Sequence, residues 1–487
     1  MSDQGALPPE ETLDPQDWNG MRDLGHRMVD TMIDYLRTVR DRPVWRPIPP
    51  DVKARFRTAA PRRPEGPEQA WEDFRELVLP HPLGNIHPRF WGWVIGTGTP
   101  LGMLAEMLAA GMNSNAGGYD QGSTQVETQV IEWCKEMLGY PSAASGLLVS
   151  GGSVANLVGI LVGRNHAAGF DVRVDGVRGF DVEPVVYASE EVHSSNEKAV
   201  EIAGLGGRSL RRIPVDRAYR IDVPALEAAI ARDREEGRRP LMIVGTAGTV
   251  NTGAFDDLEA LARISRREGM WLHVDGAFGA LAALDPELRA LTHGMEMADS
   301  LAFDLHKWMY VPYEAGCTLV RDPEVHRRAF SLIPSYLARV DRGLAVGVGS
   351  YSEYGPELSR GFKALKVWMS IKEHGLDRYA RLIRQNVEQA RYLAARVEAA
   401  DDLELLAPVP LNVVCFRYTG GDGADLDTLN REIVLDLHER GIAVPSYTVL
   451  RDRFAIRVAI TNHRSRRDDF DRLLDDVRRL GRERAAA

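Results

Sequence analysis

Cysteine is scarce. Only Cys134, Cys317 and Cys415 occur in 487 residues, widely spaced and without His or Cys neighbours at metal-ligand distances, so neither a disulfide framework nor a structural metal is expected. Long apolar runs are missing as well. Nothing approaches the ~18 residues of a membrane span, and residues 1–13 are polar and acidic without the apolar stretch of a secretory leader. These absences lead us to expect a reduced, cytoplasmic protein with no membrane contact. Positive charge is not in excess either. The 60 basic residues face 70 acidic ones, for a net charge of −10, and no basic stripe is available to follow a phosphate backbone, which disfavours nucleic acid as a partner. Internal repeats and low-complexity tracts are also lacking.

The 44% apolar content is enough for two or three subdomains in a chain of this length. Leu24, Met28, Met32, Leu36 and Val39 line one face of a helix that stops near Arg42-Pro43. Residues 41–70, rich in Pro and Arg, read as an extended crossing segment. From 86 to 375 short apolar strands (147–149, 185–188, 241–245, 271–274, 301–303 and 317–320) alternate with helices. One of these helices carries the stripe Val126, Val130, Trp133 and Met137 and ends at Gly139 and Pro141. The pattern predicts an α/β fold with a largely parallel central sheet covered by helices, its ligands held at the strand ends. After a helix over 376–400, strands at 411–418 and 454–460 interleave with helices at 426–440 and 467–480, a small α/β C-terminal domain. The expected divisions are 1–85, 86–375 and 376–487.

Three strings carry chemistry. In His273-Val274-Asp275-Gly276-Ala277 an aspartate ends an apolar strand, and in Asp304-Leu305-His306-Lys307-Trp308 a lysine follows the next one. A pyridoxal phosphate (PLP) enzyme needs this arrangement. The lysine amine links to the cofactor aldehyde, and the aspartate keeps the pyridine nitrogen protonated so that the ring accepts electrons. Taken alone, Lys307 could be a solvated lysine and Asp275 a helix N-cap. The third string, Val149-Ser150-Gly151-Gly152-Ser153, joins a strand to a helix through small residues whose N–H groups and hydroxyl suit a phosphate.

With these strings, and with Val192-His193-Ser194-Ser195-Asn196-Glu197-Lys198-Ala199, the chain resembles the group II PLP-dependent amino-acid decarboxylases, which include aromatic-L-amino-acid and tyrosine decarboxylases. The resemblance runs from about Met28 to Arg464. It implies a fold-type I PLP enzyme, PLP as cofactor, and a homodimer whose N-terminal segment wraps the partner and whose active site lies at the subunit interface. It makes His193 the imidazole stacked on the ring, Ala277 the small residue on the other face, and Gly151, Gly152 and Ser153 phosphate ligands, with Thr249, Asp304 and His306 also at the cofactor. A histidine that caps a helix is the plainer reading of His193, which follows the strand at 184–188. The resemblance further implies that Tyr336, in a glycine-rich segment at 331–360 of the kind that serves as a lid, protonates the product with the help of His193; a surface tyrosine in a loop is the alternative.

Two departures are visible. Asp304 stands where several relatives have Asn, and its charge would repel a phosphate unless turned away or partnered. In Ser359-Arg360-Gly361-Phe362 a single Arg stands where animal aromatic decarboxylases show two. For the small-molecule substrate, Trp91 and Trp93 lie in the stretch that lines the amino-acid pocket of relatives and favour an aromatic side chain, although packing would explain them nearly as well. Ser359 matches a serine that accompanies phenolic substrates in plant relatives, which places tyrosine or DOPA ahead of tryptophan. An aldehyde synthase or oxidative deaminase of the same family would share the cofactor residues, but such enzymes commonly carry Phe at the position of Tyr336. A decarboxylase of a non-aromatic amino acid, a PLP transaminase or carbon–carbon lyase, and an idle PLP-binding scaffold are the other readings.

Overall fold

The computed structural model describes residues 11–332, 342–344, 350–421 and 425–486. The chain divides into two compact units, Met1–Arg42 with Pro47–Pro82, and Pro43–Arg46 with Leu83–Ala487.

In the smaller unit a helix over Trp18–Arg37 starts at Asp17, whose carboxylate accepts from the Asn19 and Gly20 N–H groups. The proline-rich stretch is not simply extended. Pro50 and Pro67 open helices over Pro50–Arg55 and Pro67–Asp73. At the first helical position proline's fixed φ is already helical, and its missing N–H would have had no partner.

The larger unit is built on two sheets. Its strands are β1 (Phe90–Trp91), β2 (Ser145–Val149), β3 (Pro184–Ser189), β4 (Leu210–Ile213), β5 (Arg239–Thr246), β6 (Trp271–Asp275), β7 (Ser300–Asp304), β8 (Gly316–Val320), β9 (Leu403–Leu405), β10 (Val413–Tyr418), β11 (Val444–Leu450) and β12 (Arg453–Ala459). The seven-stranded sheet has the order β2-β8-β7-β6-β5-β3-β4. Only β8 runs against its neighbours. Strands β6, β7 and β8 are buried at every residue, as expected of a sheet with helices on both faces. The α/β class and mostly parallel sheet expected from the strand–helix alternation are therefore observed. Strand β4, with only two buried residues, was not anticipated, because its Arg211-Arg212 pair masks the apolar signal.

The second sheet has the order β1-β11-β12-β10-β9 and is antiparallel except for the β1–β11 pair. Its core joins Phe416, Phe454 and Val458 to Ile433, Leu437, Phe470 and Val477 from the helices Leu426–Glu439 and Arg467–Ala485. Strand β1, from the stretch expected to open the large domain, is an edge strand of this sheet instead.

Candidate active site

The C-terminal ends of β2, β3, β6 and β7 meet at one edge of the seven-stranded sheet, where a parallel arrangement collects its ligands. Strand periodicity puts Trp271, His273 and Asp275 on one face of β6, and the helix Gly152–Ala167 covers that face through Asn156. Asp275 is 3% exposed. Its Oδ2 accepts from Asn156 Nδ2 (3.0 Å) and Asn196 Nδ2 (2.7 Å), and its Oδ1 from the Ala277 N–H (3.1 Å). Among the described residues it forms no ion pair, so three neutral donors stabilise the charge without neutralising it.

His193 caps the helix Ser194–Ile202, its Nδ1 accepting from the Ser195 N–H at 3.2 Å. The capping alternative is thus true of one ring nitrogen, and the same side chain lines the cavity. Desolvation lowers the imidazole below its ordinary pKa, opposed by the charge of Asp275.

After β7 a single helical turn, Leu305–Trp308, presents Lys307. Its Nζ lies 3.0 Å from Asp304 Oδ2, with the lysine side chain 20% exposed and the aspartate 1%. His306 Nδ1 accepts the Ala315 N–H (3.1 Å), so the neutral ring keeps its proton on Nε2, 3.7 Å from the same Asp304 oxygen. Burial lowers the His306 pKa. Asp304 is therefore partnered, and it lies beside the Gly151-Gly152 turn. A Cβ built on Gly152 would stand 2.8 Å from Asp304 Oδ2, a clash that glycine avoids.

These groups enclose a cavity of about 310 Å³, lined by Ser150, Gly151, Gly152, Ser153, Asn156, His193, Ser195, Ala277, Asp304, His306, Lys307 and Glu314. The residues fit PLP. The open glycine cradle at the start of a helix suits a phosphate, Lys307 reaches the same space, and the charge of Asp275 is held two residues before the lining Ala277.

The other expected site residues fall elsewhere. Thr249 is buried, and its hydroxyl serves its own loop, accepting from the Ala254 N–H (3.1 Å) and meeting Thr252 Oγ1 at 3.0 Å. Trp91 is a correction. It is 1% exposed, stacks on Phe470 with centroids 5.0 Å apart and donates to Ser465 Oγ, so it is a core side chain and no substrate wall. Trp93 is 53% exposed and Ser359 is exposed, and neither lines this cavity. Tyr336 lies outside the described residues. Unanticipated members are Asn156, Asn196, Ser195 and Glu314; the first two were readable only as polar side chains in apolar helix faces, which need partners.

Arg360 is buried against Glu127, with Nη2–Oε1 at 2.5 Å and Nη1–Oε2 at 3.1 Å, and it also donates to the carbonyls of Ala116 and Leu148. A Cβ on Gly361 would meet nothing within 4 Å, so space does not exclude a second arginine there. Glu127 already has its pKa raised by desolvation, with Arg360 opposing. Arg360→Met is expected to cost about 3–5 kcal/mol in denaturant unfolding at neutral pH, since it leaves a buried charge alone. The penalty should shrink as pH falls. A carboxyl whose folded pKa is raised binds a proton more tightly folded than unfolded, so acid favours the folded variant. A pH-independent loss, or one below 1 kcal/mol, contradicts this.

The family model described as the pyridoxal-dependent decarboxylase conserved domain matches residues 49–419. The aromatic-L-amino-acid decarboxylase of Bacillus atrophaeus is 33% identical, over 95% of this chain and 96% of that protein. Tyrosine decarboxylase 3 of Petroselinum crispum is 30% identical, over 96% and 95%. Among solved structures, that of Oryza sativa TDC with PLP and tryptamine superposes with a TM-score of 0.89 at 26% identity, covering 97% of this chain and 100% of that one.

Proposed function

The chain belongs to the pyridoxal-dependent decarboxylase family, and from that premise we propose that it decarboxylates an aromatic L-amino acid, tyrosine or DOPA ahead of tryptophan, to the amine and CO₂. It is a PLP-dependent carboxy-lyase of fold type I. The observation that carries the proposal is the convergence of Lys307, His193 and the Gly152 cradle on one cavity, with Asp275 held immediately behind it. The aromatic side chain is supported by the names of the two relatives, an aromatic-L-amino-acid decarboxylase and a tyrosine decarboxylase.

When bound, PLP supplies an aldehyde that amines capture and a ring that takes up the electrons freed as the carboxylate leaves. The protein supplies the rest. Lys307 would provide the amine that holds the aldehyde between turnovers, and Asp304, 3.0 Å away, holds that amine in place. Asp275 would keep a proton at the ring nitrogen, and His193 and Ala277 line the space the ring would fill. Gly151, Gly152 and Ser153 would hold the phosphate. Tyr336 delivers the proton to Cα after CO₂ departs. The same reading pairs two chains in a cytoplasmic homodimer with residues 1–85 against the partner. No helix among the described residues is long and apolar enough to cross a membrane.

Incubating purified protein and PLP with a panel of amino acids, and identifying products by mass, tests the substrate. Tyramine or dopamine is expected; an amine only from aspartate-, glutamate- or histidine-like substrates contradicts the aromatic reading. Tyr336→Phe is expected to divert turnover, with the electrons at Cα passing to O₂ and aldehyde, ammonia and H₂O₂ formed in place of amine. Amine at the parent rate with no peroxide would remove Tyr336 from the mechanism.

A further inference from the structure

Behind Asp275 lies a row of polar side chains that the chemistry above leaves unused. Trp271 Nε1–H donates to Ser300 Oγ at 2.8 Å, Ser300 Oγ lies 2.9 Å from His273 Nδ1, and His273 Nε2 lies 2.9 Å from Asn156 Oδ1. Asn156, His273 and Ser300 are fully buried, and Trp271 nearly so. The direction of each hydrogen bond is determined. Asn156 spends both amide hydrogens, on Asp275 Oδ2 (3.0 Å) and Ser195 Oγ (3.1 Å), so its oxygen accepts and His273 Nε2 donates. His273 Nδ1 then accepts from the Ser300 hydroxyl, whose oxygen takes the indole N–H. Ser195 extends the row, its hydroxyl donating to His193 Nδ1 at 2.8 Å.

Burial pushes His273 down to about 4, so the ring is neutral at neutral pH and has one tautomer that satisfies both neighbours. A turned-over Asn156 amide would set its oxygen against the Asp275 carboxylate and its NH₂ against the His273 N–H. The helix also has to come close. A Cβ on Gly159 would stand 2.5 Å from His273 Cε1 and Nδ1.

We infer that His273 is a positioning residue, which by fixing the Asn156 amide keeps a donor on Asp275 and so aims that carboxylate at the ring nitrogen of the cofactor. It contacts neither cofactor nor substrate and acts through Asn156. The inference does not depend on which amino acid is decarboxylated.

The test is a double-mutant cycle read by binding. Cofactor-free protein is titrated with pyridoxamine 5'-phosphate, which has the same ring nitrogen and phosphate but no aldehyde for Lys307, and tryptophan fluorescence quenching gives the dissociation constant. His273→Phe fills the volume without a donor. With Asp275 intact it is expected to weaken binding roughly tenfold, the effect of leaving a buried amide unpaired. In an Asp275→Ala background the same change should cost less than about twofold, because the group it serves is gone. Equal losses in both backgrounds mean a packing role and overturn the inference, as does no loss with Asp275 present. If His273→Phe does not fold, Ser300→Ala goes through the same cycle, with about a threefold loss expected only where Asp275 remains; equal or absent losses overturn the inference there too. No amino acid enters the measurement, so failure of the proposed substrate leaves this result standing.

Discussion

Lys307→Ala is expected to yield a folded protein that lacks the visible band of lysine-linked PLP, takes no label on borohydride treatment, and turns over amino acids at least about a thousandfold more slowly. The visible band of a PLP enzyme comes from its covalent link to an amine, and Lys307 is the lysine whose side chain lines the cavity. Without it each cycle has to begin with free aldehyde and end with hydrolysis, so the preset amine and its positioning are both lost. The fold should survive. Lys307 is 20% exposed, and the main cost of its removal is an unpaired Asp304. Retained colour and labelling, or turnover within tenfold of the parent, would show that another lysine is the attachment point.

Asp275→Asn is expected to lower turnover by roughly 10²–10⁴-fold, the range lost when a proton-handling group is removed. A neutral amide cannot hold the ring-nitrogen proton. The substitution is also locally awkward. The new NH₂ group would face the Ala277 N–H or the amides of Asn156 and Asn196, all of them donors. That conflict should cost about 1–3 kcal/mol of stability, more than the ~1 kcal/mol of a lost N-cap. Near-parent rates with a small stability loss would mean that Asp275 only caps the turn at Ala277. Measuring kcat and chemical unfolding on the same preparation separates the two.

Much of the site could be read from the sequence because its chemistry stands at strand ends. Asp275, Lys307 and the Gly151-Gly152 turn each follow an apolar run, and a charged or glycine-rich break after such a run marks where backbone and side chain become available to a ligand. What failed to show were roles decided by packing. Trp91 and Trp93 are two residues apart with the same side chain, yet one is stacked on Phe470 and the other is 53% exposed. No local pattern separates them, because the distinction rests on Ser465 and Phe470, more than 370 positions downstream. The brace behind Asp275 left a trace that could have been followed. His273 and Ser300 sit in strands apolar apart from them and their terminal aspartates, and a buried polar group there needs a partner from a neighbouring element. The prolines misled for a local reason, since Pro50 and Pro67 read as breaks until the residues after them are seen to be helical.

The helix Gly152–Ala167 has a consequence for what the cavity admits. Its first residues form the cradle proposed for the phosphate, and Asn156, one turn later, holds the acid proposed for the ring nitrogen. Four residues of α-helix advance about 6 Å, a rod that neither stretches nor shortens. The helix therefore acts as a ruler, setting the separation between the two ends of any occupant. Molecules with a phosphate but a different reach to a basic nitrogen can satisfy only one end. A substitution that tilts the rod, such as a side chain at Gly159, would misplace both contacts together, so selectivity and affinity should fail as one property.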